Sequence, residues 1–462
     1  MFVHGYHPWA EDAALYLPPV DKLLNPQLFP FNAQFFESHA HLTLFPQMIA
    51  AAVRVTHLPL AYVLFFGQLV SIFLLLFACW QLAGKCFERE AARYAGVAMV
   101  AALLTLPVAG TALYIMDQYL NPRNVTAFIG VLAIVWVLDR RYVWAGILLV
   151  LGALIHPLMA VFAASFCVLL VWAETTELSR AALFVLPLGL FDKPSSAYHD
   201  AVSTHAYFYL TRWQWYEWLG AIGPIAIFWW FARVGRARKM RNFELISKTL
   251  VIYQVVFLVA AQIVSLPRFE SLARLQPMRD LHLVYILLVL FAGCLLQQFV
   301  VKERWWLWLL IFVPLCASMT YAQRALFPAS AHVEWPWTQP RNAWVQAFEW
   351  IRDNTPENAI FALDPTYMHV SGEDENGFRD IAERSMIADD VTDGGAVTMF
   401  PPMADEWVAQ MQAHRNWKQF GIEDFQKLKT QYGVNWVVLQ QPGVPGLRCP
   451  YENRAVKVCR VE

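Results

Sequence analysis

Charge is scarce in this chain. Only 15% of its 462 residues are Asp, Glu, Lys or Arg, against about 25% in soluble domains. Hydrophobic residues reach 58% without glycine, and the excess is unevenly spread. Beyond residue 326 there is no long apolar run, whereas from about Leu42 to Ala325 such runs follow one another through short loops. This pattern excludes one large soluble core and indicates a polytopic α-helical membrane protein with a small soluble part at its C-terminal end. Met1 opens into polar sequence without a signal peptide, and the part beyond residue 326 has no Gly-rich phosphate loop, nucleophile elbow or zinc-ligand spacing. With a net charge of −1, no nucleic-acid partner is expected.

About ten spans are expected, near 59–83, 94–115, 125–138, 142–156, 157–173, 181–191, 217–233, 248–266, 281–300 and 305–325. Several fall short of the ~20 residues that cross ~30 Å of hydrocarbon. The stretch 42–57, with Arg54 and His57, reads as interfacial. The expected domains are an N-terminal extracytoplasmic or interfacial segment 1–58, a multi-span domain 59–325 and a soluble α/β domain 326–462. Loop charge sets orientation. One alternating set of loops holds Lys85, Arg89, Arg93, Arg140, Arg141, Arg180, the cluster from Arg233 to Lys248, Lys302 and Arg304. It is richer than the other set, with Arg123, Lys193, Arg212, Arg268, Arg274 and Arg279, and is therefore expected on the cytoplasmic side. The poorer set, segment 1–41 and the C-terminal domain then face out. An exported N-terminal segment with no leader suggests a first span upstream of Met1, which in-frame hydrophobic codons would reveal.

Segment 1–41 reads as short helices on the membrane surface, and 192–216 as a polar excursion whose aromatics, Trp213 among them, form an interfacial belt. The C-terminal part is expected to hold helices at 343–353, 405–417 and 423–432, the last stopped by Gly433. Strands are expected at 359–363 and 435–439. Its acidic run Glu373-Asp374-Glu375 reads as a solvated loop. Cys449 and Cys459 flank a turn at Glu452-Asn453-Arg454 and are candidates for a disulfide in an oxidising compartment.

Three outward clusters carry potential chemistry. Glu11-Asp12 fits a general base or a divalent-cation ligand, and from spacing alone also a solvated acidic pair. Asp117 and Arg123 frame a tight loop, either as an internal pair or as ligand contacts. Arg268, Arg274 and Arg279 crowd one loop against the positive-inside bias, with only Glu270 and Asp280 to offset them, which suits a phosphate. His156, before Pro157, either meets substrate or caps a helix end.

A polar outer segment with an acidic pair, uneven spans, outward arginines and a C-terminal extracytoplasmic α/β domain resemble the GT-C superfamily, integral membrane glycosyltransferases that use polyprenyl-phosphate-linked sugars. The resemblance covers the whole chain as architecture. It implies that Asp12 or Glu11 is catalytic as base or metal ligand, so a divalent metal is compatible, although Glu-Asp reverses the family's usual Asp-Glu order. It further implies that Arg274 and Arg279 bind the donor phosphate, that a first span precedes Met1, and that the chain sits in a bacterial inner membrane. The run Asp117 to Arg123, the turn His156-Pro157-Leu158-Met159 and the end from Tyr432-Gly433-Val434 to Glu452-Asn453-Arg454 also look like those of bacterial membrane proteins without assigned activity. The leading expectation is sugar transfer to an extracytoplasmic acceptor, with Trp213 and its aromatic neighbours flooring the sugar site. The alternatives are a non-catalytic relative in envelope polysaccharide assembly and, ranked last, a transporter.

Overall fold

The computed structural model describes residues 1–175 and 195–462. The span expected at 181–191, with Arg180 and Lys193 of the neighbouring loops, lies outside the described residues. The chain divides into two compact units: residues 67–194 with 206–321, and residues 1–66 with 195–205 and 322–462. The three consecutive segments read from the sequence are thus redistributed, because the first and last fold together.

The first of these units is helical. Six helices of the chain have the length and apolar composition to cross a membrane: Leu60–Cys86, Pro157–Glu174, Trp215–Ala237, Arg241–Val264, Arg268–Val301 (including its 3-10 and π turns) and Leu307–Leu326. Pro122–Leu138 and Tyr142–Ile155 are apolar but shorter. This is the make-up of a multi-pass membrane protein, with six helices of full spanning length and two shorter apolar ones among the described residues, against about ten spans expected. Large apolar side chains face outward from these helices, as on Phe73, Val143, Val150 and Leu310. In water such exposure would be costly, and in lipid it is neutral. Leu281–Leu295 is the opposite case, buried on nearly every face, which explains its unbroken apolar sequence.

The span expected at 94–115 is not one helix. Glu90–Ala102 ends after 13 residues, and the chain then forms a hairpin of β1 (Pro107–Val108) and β2 (Leu113–Tyr114). Pro107 has no amide proton to continue a helix. Gly110 turns at φ +61° under Trp213, whose ring atoms would lie 2.5 Å from any added Cβ. Glu90–Ala102 itself crosses Leu281–Leu295 closely. A Cβ on Gly96 would meet Cys294 Sγ at 2.4 Å, and one on Gly293 would meet Met99 Cβ at 2.8 Å.

The second unit carries a five-stranded sheet in the order β4-β3-β5-β7-β6. Its strands are β3 (Ile360–Ala362), β4 (Ser385–Met386), β5 (Trp436–Gln440), β6 (Arg448–Glu452) and β7 (Val456–Arg460). β3 runs parallel to β4 and β5, while β7 is antiparallel to β5 and β6. The expected helices form at Ala343–Asn354, Ala404–Ala413 and Ile422–Tyr432, with Gly433 in the left-handed stop at φ +73°. Asn453 accepts from the Ala455 and Val456 amides and closes the β6–β7 turn, beside the Cys449–Cys459 disulfide.

Segment 1–41 turns most of its large apolar residues inward, with Phe2 exposed. Leu17, Val20, Phe35 and Phe36 are buried. Tyr6 bridges to Val333 and Ala10 to Asn376. Asn32 donates to Met386 O at 2.9 Å and shares a bond with Gln410. The segment is part of the α/β core. The 42–57 stretch contains the 12-residue helix Phe45–Thr56, which buries Phe45, Ile49 and Ala50 while exposing Met48 and Val55.

Candidate functional site

Glu11 and Asp12 sit where the N-terminal segment meets the loop before residue 377. An isolated antiparallel bridge joins Ala10 to Asn376, and the Glu11 amide donates to Glu375 O at 2.7 Å. Glu11 holds φ +52°, a left-handed conformation that costs a non-glycine residue about 1–2 kcal/mol. This kink starts the short helix Ala13–Tyr16, with Asp12 at its cap position.

Other ionisable groups share this neighbourhood. Burial pushes the Glu375 carboxyl up, His369 pulls it back and the charge of Asp12 pushes it further up. His369 Nδ1 lies 3.8 Å from Glu375 Oε1. Burial holds His205 below its ordinary value, and His369 acts the same way. The Ala201 carbonyl, Asp390 and Asp12 oppose that shift. His205 ends the helix Ser196–Thr204, and its Nδ1 lies 2.7 Å from Thr204 Oγ1. Gly394 and Gly395 pass close beside its ring. Asp12, Glu375, His369, His205 and Asp390 therefore form one electrostatic neighbourhood drawn from separate chain segments. Among the described residues, no three His, Cys, Asp or Glu side chains are arranged to hold a metal ion.

Supports for this region are buried. Arg379 Nη1 and Nη2 each donate to a carboxylate oxygen of Asp393 at 2.8 Å. Asp389 Oδ1 accepts from the Thr392 and Asp393 amides. Burial first, then the charge of Asp393, push Asp389 up to about 7, with Arg379 opposing. The acidic run at 373–375 is not a solvated loop. Asp374 is buried and accepts from Ala329 N and Asn342 Nδ2, both at 3.1 Å.

The remaining expected site residues belong to the helical unit, and several serve the fold. Arg123 donates to Asp117 Oδ2 through Nε at 3.3 Å and Nη2 at 3.2 Å, with Asn121 on the same oxygen at 2.5 Å. Asn124 and Gln68 complete this buried loop. Asp117 and Arg123 thus pair inside the protein. His156 Nδ1 accepts from the Met159 amide at 3.4 Å and caps the following helix. Trp213 is buried and packs against Gly110. The exposed aromatics there are Trp215 and Tyr216.

Around the arginine loop, Tyr209 donates its hydroxyl to Glu270, and Asp280 is fully buried. Among the described residues neither Arg268 nor Arg274 has a carboxylate within 4 Å, and Arg274 is half-exposed. Arg279 lies 5.9 Å from the Tyr207 ring centroid. The cavity beside Arg279 holds about 20 Å³, room for one water, so a head group there would have to rest on the surface.

His205, His369, Glu375 and Asp390 escape a reading by motif, since they share no local spacing. The one available hint was a polar stretch with His199 and His205 inside an apolar region. No protein-family model matches this chain, and a search of curated proteins finds no match either.

Proposed function

We propose that this chain is a membrane glycosyltransferase that moves a sugar from a polyprenyl-phosphate donor to an extracytoplasmic acceptor. The supporting observation is the setting of Asp12: a strained turn at Glu11, with Glu375, His369 and His205 within electrostatic reach. Asp12, or Glu11 in its place, takes the proton from the acceptor hydroxyl. The hydroxyl oxygen bonds to the anomeric carbon as the carbon–phosphate-oxygen bond breaks, and polyprenyl phosphate leaves with the electron pair. Arg274 and Arg279 are the residues that the GT-C resemblance gives for the donor phosphate. In this reading the C-terminal α/β unit faces out from a bacterial inner membrane.

Asp12→Asn is expected to lower transfer of radiolabelled sugar from its polyprenyl phosphate by about 10²–10⁴-fold, with protein level intact. Unchanged transfer would reject the base role. A non-catalytic relative in envelope assembly is the second reading, favoured by the structural use of Asp117, Arg123, His156 and Trp213. Binding of the labelled donor without turnover by the wild-type protein would select it.

A further inference from the structure

At the other end of the helices from the 266–280 loop lies a cavity of about 1520 Å³. That exceeds the 300–1,000 Å³ of a typical small-ligand pocket. The C-terminal ends of Leu60–Cys86, Trp215–Ala237 and the π turn Leu296–Val301 meet around it. Its rim carries Lys85, Arg89, Arg93, Arg238, Lys239 and Lys302, together with Arg241. Its wall is apolar, with Trp230, Phe231, Leu295, Leu296 and Phe299.

A surplus of loop cations is expected on a cytoplasmic face, so charge balance decides whether this rim is more than that. Lys85 pairs with Asp139 at 2.7 Å and Arg241 with Glu174 at 3.5 Å. Arg93 donates to the Phe87 and Glu88 carbonyls. Glu88 is the acid among the lining residues. Setting Asp139, Glu174 and Glu88 against the seven cations leaves four positive charges. Three helix C-termini supply about half a negative charge each, which does not cancel four. Arg89, Lys239 and Lys302 have no carboxylate within 4 Å among the described residues. Lys239 and Lys302 hold φ +56° and +50°, a conformation glycine adopts at lower cost.

We propose that this cavity binds an anionic phospholipid of the surrounding bilayer, its phosphate among Arg89, Lys239 and Lys302 and its acyl chains along the apolar wall. Phosphate is the chemistry the rim recognises. The wall distinguishes a lipid from a soluble anion. It opens toward Trp230 and Val300, both more than half exposed, and free phosphate would leave those side chains uncovered.

The test is native mass spectrometry of the delipidated full-length protein with phosphatidylglycerol or phosphatidylcholine of identical chains. Wild type is expected to hold phosphatidylglycerol at least tenfold more tightly, and equal affinity would overturn the proposal. The triple variant Arg89→Gln, Lys239→Gln, Lys302→Gln is expected to lose at least tenfold of that affinity, in line with the worth of basic residues near an anionic surface. The triple Arg141→Gln, Arg233→Gln, Arg304→Gln, on the same face but off the lining, is expected to lose less than threefold. Equal losses would reduce the effect to general surface attraction and reject the cavity. Should the first triple fail to fold, Arg89→Gln alone is expected to lose about threefold, and no loss rejects the site. Displacement of the lipid by millimolar inorganic phosphate would assign the site to a soluble anion instead.

Discussion

Asp393→Asn tests how firmly the surroundings of Asp12 and His205 are held. Arg379 and Asp393 are each almost fully buried and joined by two bonds of 2.8 Å. The substitution keeps the shape of the side chain but strands the guanidinium, because a neutral amide carries no compensating charge. Leaving one member of a buried pair alone costs about 3–5 kcal/mol. Asp389 is close enough to share the burden, since Arg379 already lowers its pKa, so the lower half of that range is expected. The loss should appear locally, in the turn that places Asp390 and Gly394 beside His205. Hydrogen exchange on the full-length protein in detergent reads it directly. Protection of the Asp389, Thr392 and Asp393 amides should fall by roughly a hundredfold or more, at about 1.4 kcal/mol per decade, while β5 amides change little. Removing both charges with Arg379→Met and Asp393→Leu should recover the greater part. A fall under fivefold in the single variant would refute the reasoning.

Asp380 is pushed up to about 8 by burial, with Arg379 partly opposing. Its neutral form is the stable one in the fold, so its contribution is complete below about pH 4, declines as pH rises and is gone near pH 8. By pH 7 the lost stability is at most about 4 kcal/mol. Asp380→Asn should therefore melt higher than wild type at pH 8 and flatten the slope between pH 4 and 8, and a lower melting temperature at pH 8 would contradict this. Gly96→Val should destabilise the helical unit by about 1–3 kcal/mol through overpacking against Cys294 and Leu290, measured as a lower melting temperature in detergent. An unchanged value would mean that the crossing with Leu281–Leu295 is looser than described.

Apolar runs were legible because lipid imposes its demand on consecutive residues, and eight of the expected spans correspond to helices at nearly the expected positions. The stretch 94–115 misled because composition there is apolar throughout, while Pro107 and a glycine beneath Trp213 decide the backbone. The helix–Gly433–strand run and the β6–β7 hairpin were legible as local patterns. The union of segment 1–66 with the C-terminal sheet was not, since bonds such as Asn32 to Gln410 leave no periodic trace. The same distance in sequence hid His205, His369 and Glu375 from any motif around Asp12. Arg123 and His156 were ambiguous because a charged residue at a helix end looks alike in sequence whether it meets a ligand or its own loop.

Because one compact unit is assembled from both ends of the chain, it has an order of manufacture. Phe31 and Asn32 leave the ribosome before any strand of the sheet they bond to exists. At about 5–20 residues per second, the more than 300 residues before Ile360 impose a wait on the order of tens of seconds. Throughout that interval the early segment carries apolar surface without its partner. A cell producing this protein therefore has to shelter that segment until the last helix is in place, and a stall in translation after residue 321 would leave it an exposed, aggregation-prone stub rather than a half-finished domain.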